Sequence, residues 1–181
     1  MSVLYSISEE IVGIVMGDYP DTYEDILKGM LINPPLTINI NTTKISVSDY
    51  MSALDDAGVK YIATALSNCL EISSGGAVTD LPGFAEGYFF VQGITSRYAI
   101  DALGVKPGDN ILDLCAAPGG KTFAAAIYLD NTGSIVSCDP NPSRLVLIEN
   151  GAKRLGFDNI TTLENLGQNY REDLNGKDAI I

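Results

Sequence analysis

Residues 111–122 read Ile111-Leu112-Asp113-Leu114-Cys115-Ala116-Ala117-Pro118-Gly119-Gly120-Lys121-Thr122. An apolar run ends in an acid, and a stretch of small residues then leads into a helix-like segment. Small side chains let backbone N–H groups approach a ligand closely, and a helix N-terminus favours negative charge. Three readings compete for this loop. A phosphate-cradling loop of the form G-x-x-x-x-G-K-[ST] fits Gly120-Lys121-Thr122, but its first glycine falls on Cys115. A nucleoside-cofactor loop of the form [DE]-x-G-x-G-x-G places Asp113, Cys115, Ala117 and Gly119 in its four fixed slots. Such a loop requires an acid for the ribose hydroxyls about 20 residues further on. Asp139 stands at that distance from Gly119, just beyond the apolar Ile135-Val136. The third reading is a tight strand-to-helix turn with no ligand.

Other chemistries are closed to this chain. It has no histidine, which removes a Ser-His-Asp triad, a His-activated cysteine and every His-containing zinc site. Cys69, Cys115 and Cys138 have no C-x-x-C spacing, so neither a disulfide framework nor an all-cysteine metal site is expected, and a reducing cytoplasm is the default. The 11 basic and 23 acidic side chains give a formal charge of −12. That balance argues against gripping nucleic acid mainly through phosphate contacts. With 181 residues, 46% of them apolar and 19% charged, a buried core is expected. No run reaches the roughly 18 apolar residues of a membrane span. Glu9 and Glu10 stand where a signal peptide would be basic.

The elements that must position the loop follow from periodicity. Ser8, with Glu9 and Glu10 behind it, reads as a helix cap, and Asp21 opens a second helix that Pro34-Pro35 must end. Residues 36–41 alternate apolar and polar strictly, as a strand with one face buried does. Ser46 and Ser48 open a helix carrying Tyr50, Met51, Leu54 and Ala57 on one stripe. Residues 59–66 and 69–72 read as strands, and residues 73–76 as a turn. Residues 1–78 thus form a small α+β module. From residue 79 to 181 the rhythm changes. Strands are expected over 89–92, 110–114, 134–138, 160–163 and from 178, alternating with helices over 95–103, 119–129 and 142–155. That alternation means an α/β domain with a parallel sheet, binding ligands outside the carboxyl ends of its strands. The last four residues, Asp178-Ala179-Ile180-Ile181, lie inside what reads as a fourth parallel strand. A domain edge of unpaired backbone is disfavoured, so the chain is expected to be the N-terminal part of a longer protein.

The segment from Leu112 to Thr122 resembles the cofactor motif of the Sun/nucleolar-protein family of RNA cytosine-5 methyltransferases, in its bacterial 16S ribosomal RNA branch. The similarity continues through Tyr19-Pro20, Asn33-Pro34-Pro35-Leu36, Asn41, Leu81-Pro82-Gly83-Phe84, Gly87, Val91-Gln92, Ser96, Asp139, Arg144-Leu145 and Arg154-Leu155-Gly156. It implies a Rossmann-like methyltransferase sheet preceded by an RNA-recognition-like module, S-adenosylmethionine as cofactor, and a cytosine in RNA, most naturally ribosomal, as acceptor. No metal and no membrane partner are implied. Cys115, Ala116, Ala117, Pro118, Gly119, Gly120 and Lys121 would wrap the methionine end, Asp139 would hold the ribose, and Leu166 would occupy the adenine-contact position. Lys121 would take a supporting role in the active site. The family's two catalytic cysteines lie in Pro-Cys and Thr-Cys motifs, which this sequence lacks. It also departs from the family at Asn39 (usually arginine), Gly93 (often aspartate) and Leu166 (aspartate). A non-catalytic cofactor- or RNA-binding relative is the alternative reading.

Overall fold

The computed structural model describes residues 1–74 and 76–181; Gly75, inside the expected turn over 73–76, lies outside the described residues. Met1–Pro35 and Leu36–Ile181 form two compact units. The first holds helices α1 (Ser2–Tyr5), α2 (Glu9–Asp18) and α3 (Tyr23–Gly29). Ser8 caps α2 by accepting the Ile11 N–H at 3.3 Å, as its sequence position demanded. Tyr5, Val12, Val15 and Leu27 make a small apolar core.

The second unit contains two sheets. The first is built from β1 (Leu36–Ile40), β2 (Lys60–Ala63), β3 (Cys69–Ser74) and β4 (Phe89–Val91), in the order β2-β3-β1-β4, with α4 (Val47–Asp56) between β1 and β2. Every pairing in it is antiparallel. Ser46 caps α4 by accepting the Asp49 N–H at 3.1 Å, and Tyr50 and Leu54 join Ile38, Ile40, Leu70 and Phe89 in the core beneath.

Three expectations are corrected here. The strand over 89–92 does not belong to the parallel sheet: β4 pairs antiparallel with β1, Phe90 opposite Asn39. A short apolar run carries no information about its partner. Ser73 and Ser74, expected in a turn, continue β3 instead. The strand over 59–66 shortens to β2.

The alternating segment is a strand, but burial covers both of its faces: Thr37, Ile38, Asn39, Ile40 and Asn41 are all buried. The isoleucines point into the apolar core, Asn39 into hydrogen bonds with neighbouring segments of the same sheet, and Asn41 into hydrogen bonds that reach α7 of the second layer. Asn39 Nδ2 donates to the Gln92 carbonyl at 3.0 Å and Asn39 Oδ1 accepts from the Cys69 thiol. Asn41 Nδ2 donates to the carbonyls of Gly87 and Leu155 at 3.1 and 2.9 Å, while its Oδ1 accepts from Thr43. Buried amides with every group engaged specify one arrangement of the layers. The polar half of the alternation thus marks buried hydrogen bonds, not contact with water.

The second sheet follows α5 (Ile94–Leu103). It comprises β5 (Asn110–Asp113), β6 (Ser134–Asp139), β7 (Ile160–Glu164) and β8 (Ala179–Ile180), with α6 (Gly120–Leu129) and α7 (Pro142–Leu155) as crossovers. The order is β7-β6-β5-β8, all parallel. The chain progresses to one side of β5 through β6 and β7, then returns to the other side at β8. The carboxyl end of β5 is therefore the switch point where such sheets open a crevice. Asn141 caps α7 with Pro142 in its first turn, and Gly156 ends it in the left-handed conformation. Seven of the ten residues of α6 are buried, and its run of alanines lets it lie close to the sheet. Arg97 of α5 is almost wholly buried, pairing with Asp101 at 3.0 Å and donating to the Tyr128 hydroxyl at 2.9 Å. Among the described residues no helix is long and apolar enough to cross a membrane.

Candidate cofactor site

The loop leaving β5 is built around a buried acid. Asp113, 2% exposed, accepts the Thr122 hydroxyl at 2.8 Å and the Cys115 N–H at 3.3 Å. Thr122 lies 3.0 Å from the Ser137 hydroxyl on β6. This buried chain of polar groups ties the strand end, the loop and the first turn of α6 together. The Ala116 N–H donates to the Cys138 carbonyl at 2.9 Å, pinning the loop to the next strand. Asp113 therefore shapes the loop from below, and the cavity above is lined by others.

Burial pushes the Asp113 carboxyl above the ordinary carboxylate range, against the lowering influence of the Thr122 hydroxyl, the Cys115 N–H and the Lys121 charge. An acid whose folded pKa exceeds its unfolded one binds its proton more tightly when folded. Its contribution to stability is therefore greatest below the unfolded value and falls as pH rises through the folded one. Thr122→Val should cost about 2–3 kcal/mol at neutral pH, by leaving a buried carboxylate short of a donor. The loss should shrink near about pH 4, the ordinary aspartate value, by which point the raised Asp113 carboxyl already holds its proton in the folded chain. Urea denaturation at the two pH values checks this, and an equal loss at both would refute it.

A cavity of about 270 Å³ opens above the loop, lined by Val91, Gln92, Gly93, Ser96, Cys115, Ala116, Ala117, Pro118, Gly120 and Lys121. No side chain caps α6, so its first-turn N–H groups are left for an external acceptor. Lys121 is half-buried and makes no ion pair or side-chain hydrogen bond among the described residues. Two glycines hold the loop close: Gly119 has φ +110°, and a Cβ on it would meet the Phe123 ring at 2.5 Å. A Cβ on Gly120 would press on the Gln92 amide at 3.3 Å.

Asp139 ends β6 almost fully buried. Its Oδ1 accepts the Asn141 N–H at 3.0 Å and its Oδ2 pairs with Arg144 at 3.0 Å. Arg144 also donates to the Ala117 carbonyl at 2.7 Å, so it bridges the acid and the loop. A carboxylate has about four lone-pair positions, so two remain after these contacts. Beyond Asp139 a second cavity, about 220 Å³, is lined by Pro140, Glu164, Asn165, Leu166 and Asn169. Leu166 is 43% exposed there. The structure thus gathers Cys115, Ala116, Ala117, Pro118, Gly120 and Lys121 in one cavity with Gly119 behind them. It places Asp139 at the adjoining strand end and Leu166 in the second cavity.

The other thiols are packed. Cys69 and Cys138 are buried, and burial pushes both thiols up; neither is poised as a thiolate. Among the described residues no cluster of His, Cys, Asp or Glu is arranged to hold a metal ion. Two contributors escaped the motif reading of the loop. Arg144 carried a signal, an arginine five residues past the acid in the first turn of the following helix. Gln92 carried none as a site residue, because its place depends on β4 pairing with β1.

A doubly wound parallel sheet with a small-residue loop after its first strand and an acid after its second is the architecture of a nucleoside-cofactor site, and the family matches identify it as that of the S-adenosylmethionine-dependent methyltransferases. Residues 100–180 match the family model "16S rRNA methyltransferase RsmB/F", and residues 11–79 match the RsmF/B-like ferredoxin-like domain. The probable ribosomal RNA small subunit methyltransferase B of Coxiella burnetii is 33% identical over 140 residues, covering 77% of this chain and 33% of that protein. Its counterpart in Citrobacter koseri is also 33% identical, with 77% and 32% covered. The crystal structure of PH0851 superposes with a TM-score of 0.81 at 27% identity, covering 92% of this chain and 38% of that one. A methyltransferase homologue from Pyrococcus horikoshii gives 0.79 at 26%, covering 91% and 55%. NSun6 from the same organism, solved with SFG, shares the fold at 0.77 and 19% identity, covering 87% and 65%. The chain belongs to the RsmB/F family of RNA cytosine-5 methyltransferases, joining a ferredoxin-like antiparallel sheet to a parallel methyltransferase sheet. It spans about a third of the length of the curated relatives it matches.

Proposed function

We propose that this chain forms the S-adenosylmethionine-binding half of an enzyme that methylates carbon 5 of cytosine in small-subunit ribosomal RNA. The observation that carries the reading is the pair of cavities at the carboxyl edge of the parallel sheet, one above the loop that follows β5 and one lined by Pro140, the residue after Asp139. The residues present fit the cofactor: close backbone at Gly119 and Gly120 leaves room above the loop, and the Gln92 Oε1 is a buried acceptor with no partner among the described residues. When bound, S-adenosylmethionine supplies an electrophilic methyl group on its sulfonium.

The chain's own residues hold the reactants. The loop over 115–121 takes the amino-acid end through backbone groups, and the Lys121 ammonium adds a positive charge beside it. Asp139 uses its two remaining lone-pair positions for the ribose hydroxyls, with Arg144 fixing the carboxylate between strand and loop. The cavity around Leu166 takes the adenine by apolar contact and by the side-chain amides of Asn165 and Asn169. Cytosine carbon 5 is a poor nucleophile until a thiolate adds to carbon 6. Two of the chain's thiols are buried and the third lies in the cofactor loop, so the nucleophile belongs to another part of the enzyme.

Calorimetry should show S-adenosylmethionine binding to the 181-residue chain. Asp139→Ala should weaken it by about 1–3 kcal/mol, the cost of unmade charge-assisted bonds. Unchanged affinity would remove Asp139 from the site. The same preparation, given labelled cofactor and ribosomal RNA, should transfer no methyl groups; incorporation would place the nucleophile among Cys69, Cys115 and Cys138.

A further inference from the structure

Gln92 is held more firmly than its place at a cavity wall requires. Its N–H donates to the Thr37 carbonyl at 3.1 Å, and its own carbonyl accepts from Asn39 at 3.0 Å. Both of its backbone polar groups are thereby held by β1. The side chain is 93% buried, lines the cavity above the loop, and leaves Oε1 without a partner. A buried unsatisfied amide oxygen costs about 1–3 kcal/mol, and nothing in the packing of this wall demands an amide. The neighbouring loop is shaped to admit it, since Gly120 stands where any larger residue would press on the amide.

The chemistry of the lining says what the amide is for. An amino-acid zwitterion entering this cavity brings a carboxylate and an ammonium that must part. The carboxylate has donors, at the uncapped first turn of α6 and at Lys121. The ammonium needs an acceptor, and no acidic side chain lines the cavity. Of the two neutral polar side chains that do, Ser96 and Gln92, Gln92 is the one that carries a side-chain acceptor without a partner among the described residues. Oε1 is the buried end of the amide and Nε2 the end nearest Gly120. Neither is held by a hydrogen bond among the described residues, so a half-turn of the terminal bond, which leaves the shape of the amide nearly unchanged, exchanges the two and presents Oε1 to the cavity.

We propose that Gln92 is the residue that recognises the α-ammonium of the amino-acid portion of the bound cofactor, and so distinguishes intact cofactor from its nucleoside remnants. This rests on the S-adenosylmethionine reading above. The ferredoxin-like sheet then has a direct part in cofactor selection, because β1 and β4 aim this side chain.

The test compares two ligands by calorimetry on the 181-residue chain. S-adenosylhomocysteine carries the amino-acid group, and 5′-methylthioadenosine lacks it. Gln92→Leu should lower affinity for the first by about tenfold and leave the second within about twofold, a retained affinity that also shows the site is folded. Gln92→Glu, which preserves shape and acceptor, should hold S-adenosylhomocysteine more tightly than Gln92→Leu does. Equal losses for both ligands in both variants would reduce Gln92 to loop support and overturn the assignment, as would no loss at all. A wild-type chain that binds neither ligand would overturn the cofactor reading itself, and this inference with it.

Discussion

Gly87→Ala is expected to prevent residues 36–181 from folding stably, with a loss above about 4 kcal/mol. Two independent causes converge at this position. Its φ of +74° lies in the region that side chains disfavour, and a Cβ there would stand 2.1 Å from the Arg154 carbonyl oxygen. That obstacle is backbone at the end of α7, so no rotamer change relieves it. The segment around it is anchored from both sides. Arg154 donates to the carbonyls of Phe84 and Phe89, and Lys44 donates to those of Glu86 and Arg154. Circular dichroism with urea denaturation gives the measurement, and Gly17→Ala serves as control. Gly17 has nothing within 4 Å of an added Cβ and no positive φ, so its substitution should stay within about 1 kcal/mol. A Gly87→Ala chain as stable as the control would show that the close approach is not needed.

Asn41→Leu should come second, at about 3–5 kcal/mol. The side chain is wholly buried; its amide satisfies two carbonyls on different segments, and its oxygen satisfies Thr43. Leucine nearly matches its volume but leaves those groups without partners, and each buried polar group so stranded costs about 1–3 kcal/mol. The loss is read from the urea midpoint with the slope unchanged. A loss below about 1 kcal/mol would mean that water replaces the amide and that the seam is looser than its distances indicate.

What the sequence disclosed, and what it withheld, divides along physical lines. Helix caps at Ser8 and Ser46, and the alternation of strands and helices beyond residue 94, were legible because they are local, whereas the cap expected at Asp21 falls instead on Thr22. The loop over 115–121 was legible for the same reason: its small residues, its preceding acid and its spacing to Asp139 all lie on one continuous stretch. The pairing of β4 was not, because Phe89-Phe90-Val91 suits either sheet and only tertiary contact decides. The alternation in β1 misled about solvent, since its polar face is buried in hydrogen bonds and periodicity cannot tell water from a buried amide. Gln92 and Arg144 share this origin. Each works by joining segments remote in sequence, Gln92 through β1 and Arg144 through the Ala117 carbonyl.

The polar seam also bears on how the molecule opens. Two layers joined by apolar contact alone can separate gradually, exposing surface a little at a time. Here Asn41, Lys44 and Arg154 join the first sheet and its loops to α7 with directed bonds, which are lost together when the layers part. The ferredoxin-like and methyltransferase sheets should therefore behave as one cooperative unit. Amides in β1 and β6 would exchange with solvent through a single shared opening, at one common free energy, though they sit in different sheets.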